Sequence, residues 1–321
     1  MNLNNLKIIY SPVHQKHNPP FEIYDGKMER YSEVPDRIEE AIRTLIKNNI
    51  GKICSPQIFP MSNIYEVHQK DYVDFFIKKS KSLKSGEILY PSYYISDTYA
   101  PITSGTFDAA KMAVDGVLTG AKMVCGEEKI VYCLCRPPGH HAGKKSMGGY
   151  CYFNNAAIGA NYLSKFGRVA ILDIDLHHGN GTQDIFYQRS DVLYVSIHAD
   201  PKVKYPYSSG YVSENKESNI NYPLPMGTTN QKYLRVFGQA LENIRNFGAD
   251  YLVVSVGFDT YQKDPIGGFN LTTSIFAKLG QGIANMNIPI LAVQEGGYFV
   301  PDFGKNLVSF LSGLTSANKI D

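Results

Sequence analysis

The stretch "VAILDIDLHHGNG", residues 169–181, runs from unbroken apolar β-formers straight into two aspartates, two histidines and an asparagine between glycines. Continuous rather than alternating apolarity is the pattern of a strand buried on both faces, which is how parallel sheets covered by helices read in sequence. In an extended chain, side chains two apart share a face. Asp173, Asp175 and His177 therefore project together, with Leu176 and His178 on the other side. Three such groups repel or stay unpaired unless something positive sits among them, and a divalent cation fits that description.

Outward from this stretch, apolar β-rich runs recur at 6–10, 129–135, 192–198, 251–259 and 289–297. Helix-period segments lie between most of them, at 106–122, 154–166, 230–247 and 273–286. The alternation predicts an α/β fold with a central, mostly parallel sheet and helices on both faces. No Pro- or Ser-rich linker and no repeat interrupts it, so a single domain over 1–321 is expected. The N-terminal third reads differently: a helix at 36–49, another at 64–79, and a long loop rich in Pro, Tyr and Glu. Loops of that length in a compact domain are usually functional or interfacial.

Composition removes several classes of function. With 43% apolar and 19% charged residues the chain is an ordinary globular protein. Its 32 basic and 30 acidic residues leave a formal charge of +2, which gives little pull on nucleic acid or membrane. The basic run "KKSKSLKSG", Lys78 to Gly86, reads as the solvated end of a helix and its loop. Five irregularly spaced cysteines, Cys54, Cys125, Cys133, Cys135 and Cys151, specify neither a disulfide framework nor a zinc knuckle. With no signal-peptide pattern at the start and no apolar stretch near ~18 residues, a cytoplasmic location is expected.

Ligands of open parallel sheets bind beyond the carboxyl ends of the strands. Four strands here end in unusual chemistry. "CRPPGHHAG" brings His140 and His141 after the strand at 129–135. The run at 169–175 brings Asp173, Asp175 and His177, "VGFDTYQKDP" brings Asp259 and Asp264, and "QEGGY" brings Glu295 and Tyr298 after Gly296 and Gly297. Two aspartates and a histidine leave a coordination position open for water, the pattern of a catalytic zinc site. Asp173 suits the role of a carboxylate that orients an imidazole. The His140–His141 pair beside such a site reads as a general base, and Tyr298 as a hydrogen-bond donor to an oxyanion.

"RPPGHHAG", "GGYCYFNNAA", "ILDIDLHHGNGTQDIF", "GFDTYQKDP" and "QEGGY", in this order over 136–298, resemble the histone deacetylase and acetylpolyamine amidohydrolase family. The resemblance runs from "IIYSPVH" to the last helix, and the long segment "HNPPFEIYDGKMERYSEVPDR" is most similar to bacterial acetylpolyamine amidohydrolases. It implies an arginase/deacetylase-like fold with Zn²⁺, or Fe²⁺, on Asp175, His177 and Asp259. It makes His141 the base and then the acid, His140 its electrostatic partner, Asp173 the support of His140, and Tyr298 the polariser of the amide carbonyl. Asn180 would stand behind His141, where many relatives carry aspartate. Gly149, Tyr150 and Tyr205 would wall a narrow tunnel, and Asp97 would be a rim carboxylate that binds substrate. The resemblance also implies structural K⁺ or Na⁺ near Asp173, Asp175, His177, Ser196 and Ile197, and again near Phe186, Arg189 and Val192.

The substrate expected from these features is a small acetylated amine, foremost an acetylpolyamine, because aromatic walls suit a slim aliphatic arm. Glu22 and Asp25 in the N-terminal loop add negative charge for such a cation, and that loop is expected to form a homodimer, as in close relatives. Acetyl-lysine on a protein is the alternative substrate. A two-metal ureohydrolase and a non-catalytic acetyl-amine binding module are the readings from other classes.

Overall fold

A computed structural model of the chain describes residues 3–24 and 26–316. Among the described residues the strands are β1 Lys7–Ile9, β2 Phe21–Tyr24, β3 Lys27–Arg30, β4 Lys52–Cys54, β5 Ile88–Leu89, β6 Ile102–Thr103, β7 Ile130–Cys133, β8 Val169–Asp173, β9 Val192–Ala199, β10 Asn219–Leu224, β11 Tyr251–Val256 and β12 Ile290–Gln294. The helices are α1 Asp36–Lys47, α2 Ser62–Tyr65, α3 Lys70–Ser82, α4 Thr106–Cys125, α5 Asn155–Leu163, α6 Asn180–Phe186, α7 Asn230–Phe247, α8 Thr273–Ala284 and α9 Val300–Thr315.

Eight strands make one parallel sheet in the order β10-β9-β8-β11-β12-β7-β1-β4. Its residues alternate between two cores, which is why the strands read as unbroken apolar runs. Ala170 and Leu172 face the core shared with α1, α7, α8 and α9, whereas Val169 and Ile171 face the one shared with α3, α4 and α5. The helices follow their own rules. Ile38, Ala41 and Leu45 put one stripe of α1 in the core. The Asn154 side chain caps α5 by accepting from Ala157 N at 2.9 Å.

The strands that carry the polar motifs, β8, β11, β12 and β7, are four consecutive neighbours at the centre of this sheet. β9 lies on one side of β8, and β11 and β12 on the other, so the β8–β11 boundary is a switch point of the kind where ligands bind.

Differences from the sequence reading have physical causes. β4 and β10 form the two edges of the sheet, and as edges they lack the two-sided burial that writes a continuous apolar run. The helix expected at 64–79 is two helices, because buried His68 leaves the helical path to bind Gly143 O at 2.8 Å and to accept from Asn154 N at 2.9 Å. The long N-terminal loop contains the hairpin β2–β3. β8 ends at Asp173, so Asp175 and His177 lie in bends beyond it rather than on one face of an extended strand. Asp25 lies outside the described residues. No helix among the described residues is long and apolar enough to cross a membrane.

Candidate active site

Asp175, His177 and Asp259 each offer one ligand atom, all within 4.8 Å of one another, and all three side chains are buried. His177 Nδ1 lies 2.9 Å from Asp259 Oδ2 and 3.4 Å from Asp175 Oδ1. Backbone amides fix the carboxylates. Leu176 N donates to Asp259 Oδ1 at 2.9 Å, and Gly296 N donates to Asp175 Oδ2 at 2.8 Å. A Cβ at Gly296 would sit 2.5 Å from Asp175 Oδ2 and 2.7 Å from Asp259 Oδ2, so only glycine lets the β12 loop approach this closely.

The electrostatics of this cluster call for a cation. Burial pulls the His177 ring down, yet Asp175 and Asp259 overcome it and raise the ring to about 9. Burial and the charge of Asp175 push the Asp259 carboxyl up to about 7. The Asp175 carboxyl is held below its usual range against burial, first by the His140 imidazole and then by His177. The cluster thus draws positive charge to the place among two oxygens and a nitrogen that a divalent ion takes, and the ion would leave the ring neutral, as a ligand must be. The residues fit such an ion.

His140 and His141 lie against each other, ring centroids 4.0 Å apart. His140 Nδ1 is 3.0 Å from Asp173 Oδ2, which also accepts from the Tyr194 hydroxyl at 3.0 Å. Burial opposes charge on His140, but Asp175 and Asp173 raise it to about 10. Burial, then His140 and His177, push His141 well below its ordinary value. Its Nδ1 is 2.7 Å from Asn180 Oδ1. An amide oxygen only accepts, so His141 carries its hydrogen on Nδ1 and keeps Nε2 as a free base. The two histidines are thereby separated in protonation. Glu295 supports the pair from below, accepting from Gly139 N at 2.6 Å and His140 N at 3.2 Å.

Tyr298 sits on a loop gripped from two sides. Arg37 donates to Gly297 O at 2.5 Å and Glu295 O at 2.6 Å, and its guanidinium lies 4.8 Å from the Tyr298 ring centroid. Opposite, Asp264 Oδ2 accepts from Tyr298 N at 2.5 Å and Phe299 N at 3.2 Å. Burial holds the Tyr298 phenol protonated, well above its ordinary value, with Arg37 opposing and Asp175 and Asp259 adding to it.

The site opens into a pocket of about 320 Å³ lined by His141, His177, Tyr150, Tyr205, Tyr298 and Gly149 among others. Gly149 and Tyr150 are both left-handed, at φ 51° and 69°, and a Cβ on Gly149 would lie 2.3 Å from His141 Cδ2. The tyrosine carries real strain to present its ring there. Asp97 stands behind the wall. Its Oδ2 accepts from the Tyr205 hydroxyl at 2.5 Å and from Gly149 N at 2.9 Å, and its Oδ1 from Tyr99 N at 2.8 Å. It fastens the two walls together. Asp173 and Ser196 are register partners across β8 and β9, with Ile197 the next residue; Phe186, Arg189 and Val192 lie together at the end of α6 and the start of β9.

Sequence reasoning missed Arg37, Glu33 and Arg136. Glu33 Oε1 accepts from Arg37 Nη1 at 2.5 Å and Arg136 Nε at 2.9 Å, all three fully buried. The available signal was "RPPGHH" itself, whose arginine follows a buried strand and so needs a buried acceptor.

The histone deacetylase domain family matches residues 29–314. Acetylpolyamine amidohydrolase 1 of Pseudomonas aeruginosa is 38% identical, over 96% of this chain and 99% of that protein. The acetylpolyamine amidohydrolase of Mycoplana ramosa is 34% identical over 96% and 99%. Among solved structures, the acetylpolyamine aminohydrolase of Burkholderia pseudomallei superimposes with a TM-score of 0.92 at 33% identity, covering 97% of this chain and 99% of that one. With the domain match over 29–314 and 96% of its length shared with these relatives, the chain belongs to the histone deacetylase family.

Proposed function

We propose that the protein is a zinc-dependent amidohydrolase that removes acetyl groups from small acetylated amines, acetylpolyamines foremost. The observation that carries this reading is the buried Asp175–His177–Asp259 cluster, with His141, His177 and Tyr298 lining one pocket and His141 Nδ1 held at 2.7 Å by Asn180 Oδ1. The relatives named as acetylpolyamine amidohydrolases support the substrate class.

Asp175, His177 and Asp259 would hold the ion, which when bound supplies Lewis acidity, polarising the amide carbonyl and acidifying water from ~15.7 towards ~7. His141 Nε2 receives the proton of the attacking water and returns it to the departing amine. Asn180 keeps the ring in the tautomer this requires. His140, kept charged by Asp173 and Asp175, lowers the affinity of His141 for a proton, so that the proton moves on to the amine. The Tyr298 hydroxyl donates to the carbonyl oxygen as it gains charge. Structural K⁺ or Na⁺ beside the Asp173–Ser196 pair and beside Phe186, Arg189 and Val192 belongs to the same proposal, as does Fe²⁺ in place of Zn²⁺.

A homodimer through the β2–β3 hairpin is part of the reading, supported by the exposure of Phe21, Tyr24 and Met28 there. A cytoplasmic location is supported by five free thiols. The test is acetate release from N-acetylputrescine beside an acetyl-lysine peptide, with and without chelator. Chelator-sensitive turnover of the amine is expected. A strong preference for the peptide overturns the substrate, and two ions per chain by elemental analysis overturn the chemistry in favour of a ureohydrolase.

A further inference from the structure

The inner end of the pocket is accounted for by the residues above; its outer part holds charges that they do not use. Glu22, from β2, lines the pocket and is 3% exposed. One carboxylate oxygen accepts from Ser32 Oγ at 3.1 Å, and the other, Oε2, is buried with no partner among the described residues. A buried acceptor without a donor is costly, and the cost marks a place where a donor is expected. Burial pushes this carboxyl up to about 6, against the hydroxyls of Tyr150 and Ser32, and Glu29 pushes it the same way.

Lys204 lines the same pocket from the segment after β9, half-buried. Among the described residues its ammonium makes no hydrogen bond and no ion pair, with Glu22 or any other group. Burial weakens its charge, and the acids it senses are Asp259 and Asp264, next to the Pro265 and Ile266 that also line the pocket. Glu22 instead lies against Tyr150 and Ser32. A carboxylate with one oxygen left without a hydrogen bond and an ammonium with neither hydrogen bond nor ion pair among the described residues thus line the same pocket. A pocket shaped only for polycations has no use for the lysine, which repels every further ammonium on a long arm.

We infer that the pocket is bipolar and that it accepts acetylated diamino acids, with Glu22 receiving the free ammonium and Lys204 the free carboxylate at the far end of the acetamide arm. This rests on the deacetylase reading above and narrows it. N-acetylputrescine engages Glu22 alone, whereas the additional ammonium of acetylspermidine meets Lys204.

The test compares kcat/KM for Nδ-acetylornithine, its carboxamide, N-acetylputrescine and N1-acetylspermidine in the wild type, Lys204→Met and Glu22→Gln. The wild type should prefer acetylornithine over its carboxamide by about tenfold or more, the scale of one charge-assisted hydrogen bond. Lys204→Met should bring that ratio to about one and raise acetylspermidine turnover several-fold. Glu22→Gln should lower acetylputrescine and acetylornithine together, through KM. Turnover of acetylputrescine with no preference for the carboxylate, or a preference that survives Lys204→Met, refutes the bipolar pocket and leaves the deacetylase reading intact. No acetate from any of the four refutes both.

Discussion

Replacing Arg37 by methionine separates the support of Tyr298 from its chemistry. The guanidinium gives hydrogen bonds to Gly297 O, Glu295 O and Glu33 Oε1, all buried, and lies over the Tyr298 ring. Methionine fills most of the volume but donates nothing. Glu295 O keeps a 3.3 Å bond from Gln294, and Glu33 keeps Arg136, so the loss falls mainly on the Gly297 carbonyl and on the charge balance at Glu33. Breaking a buried pair of this kind costs about 3–5 kcal/mol of folding stability, which urea unfolding reads directly. In turnover, a phenol displaced by about 1 Å forfeits on the order of 10²-fold. Tyr298→Phe, which removes the hydroxyl itself, should also lose roughly 10²-fold or more. The decisive measurement is acetate release by the double variant, at a temperature where all variants are folded. If Arg37 acts through Tyr298, Arg37→Met in the Tyr298→Phe background should cost no more than about threefold, since coupled residues are not additive. Multiplied losses near 10⁴-fold would refute the reasoning.

Gly296→Ala puts a methyl group 2.5 Å from Asp175 Oδ2 and should weaken ion binding and lower turnover by at least about 10²-fold, as read by chelator competition and acetate release; near-wild-type values would show that the carboxylates yield freely. Adding Zn²⁺ to chelator-treated protein at about 100 times its Kd should raise unfolding free energy by about 2.7 kcal/mol, with little effect in Asp259→Asn. Equal stabilisation of both would place the ion elsewhere. His68 is buried and neutral, held down at about 4 by burial against an ordinary 6.5. Its folded value is depressed, so the unfolded chain binds the proton first: the contribution is complete above pH 6.5 and is lost as pH falls towards 4, about 3 kcal/mol in all. A urea midpoint that is flat over that window, or one that falls as steeply in His68→Gln, would contradict this.

The central sheet and the polar strand ends that meet at the candidate site were legible because two-sided burial and unpaired polar groups both write strong local patterns. "VAILDID" announces a strand covered on both faces, and the four strand ends announce chemistry one by one. What local patterns do not contain is pairing across distance. Asp97 reads as a rim carboxylate, but nothing local tells that it accepts from Tyr205, Gly149 and Tyr99, the first 108 positions away in the chain. Arg37 lies at the edge of the buried stripe of α1, one turn before Ala41, and its buried acceptors lie 258 and 260 positions later. Glu22 gave away its charge but not its burial, because a three- or four-residue hairpin strand is too short to show which face is covered.

Arg136 is held at Glu33 and also by the carbonyls of His14 and His17, in a segment that precedes residue 29, where the family match begins. The first turns of the chain are therefore a brace for the histidine loop, although they contribute nothing to the reaction. A fragment trimmed to the matched region would lose β1 from within the sheet and leave the Arg136 guanidinium with Glu33 as its remaining partner. The histidine loop thus depends for its footing on a stretch of chain that lies ahead of the matched region.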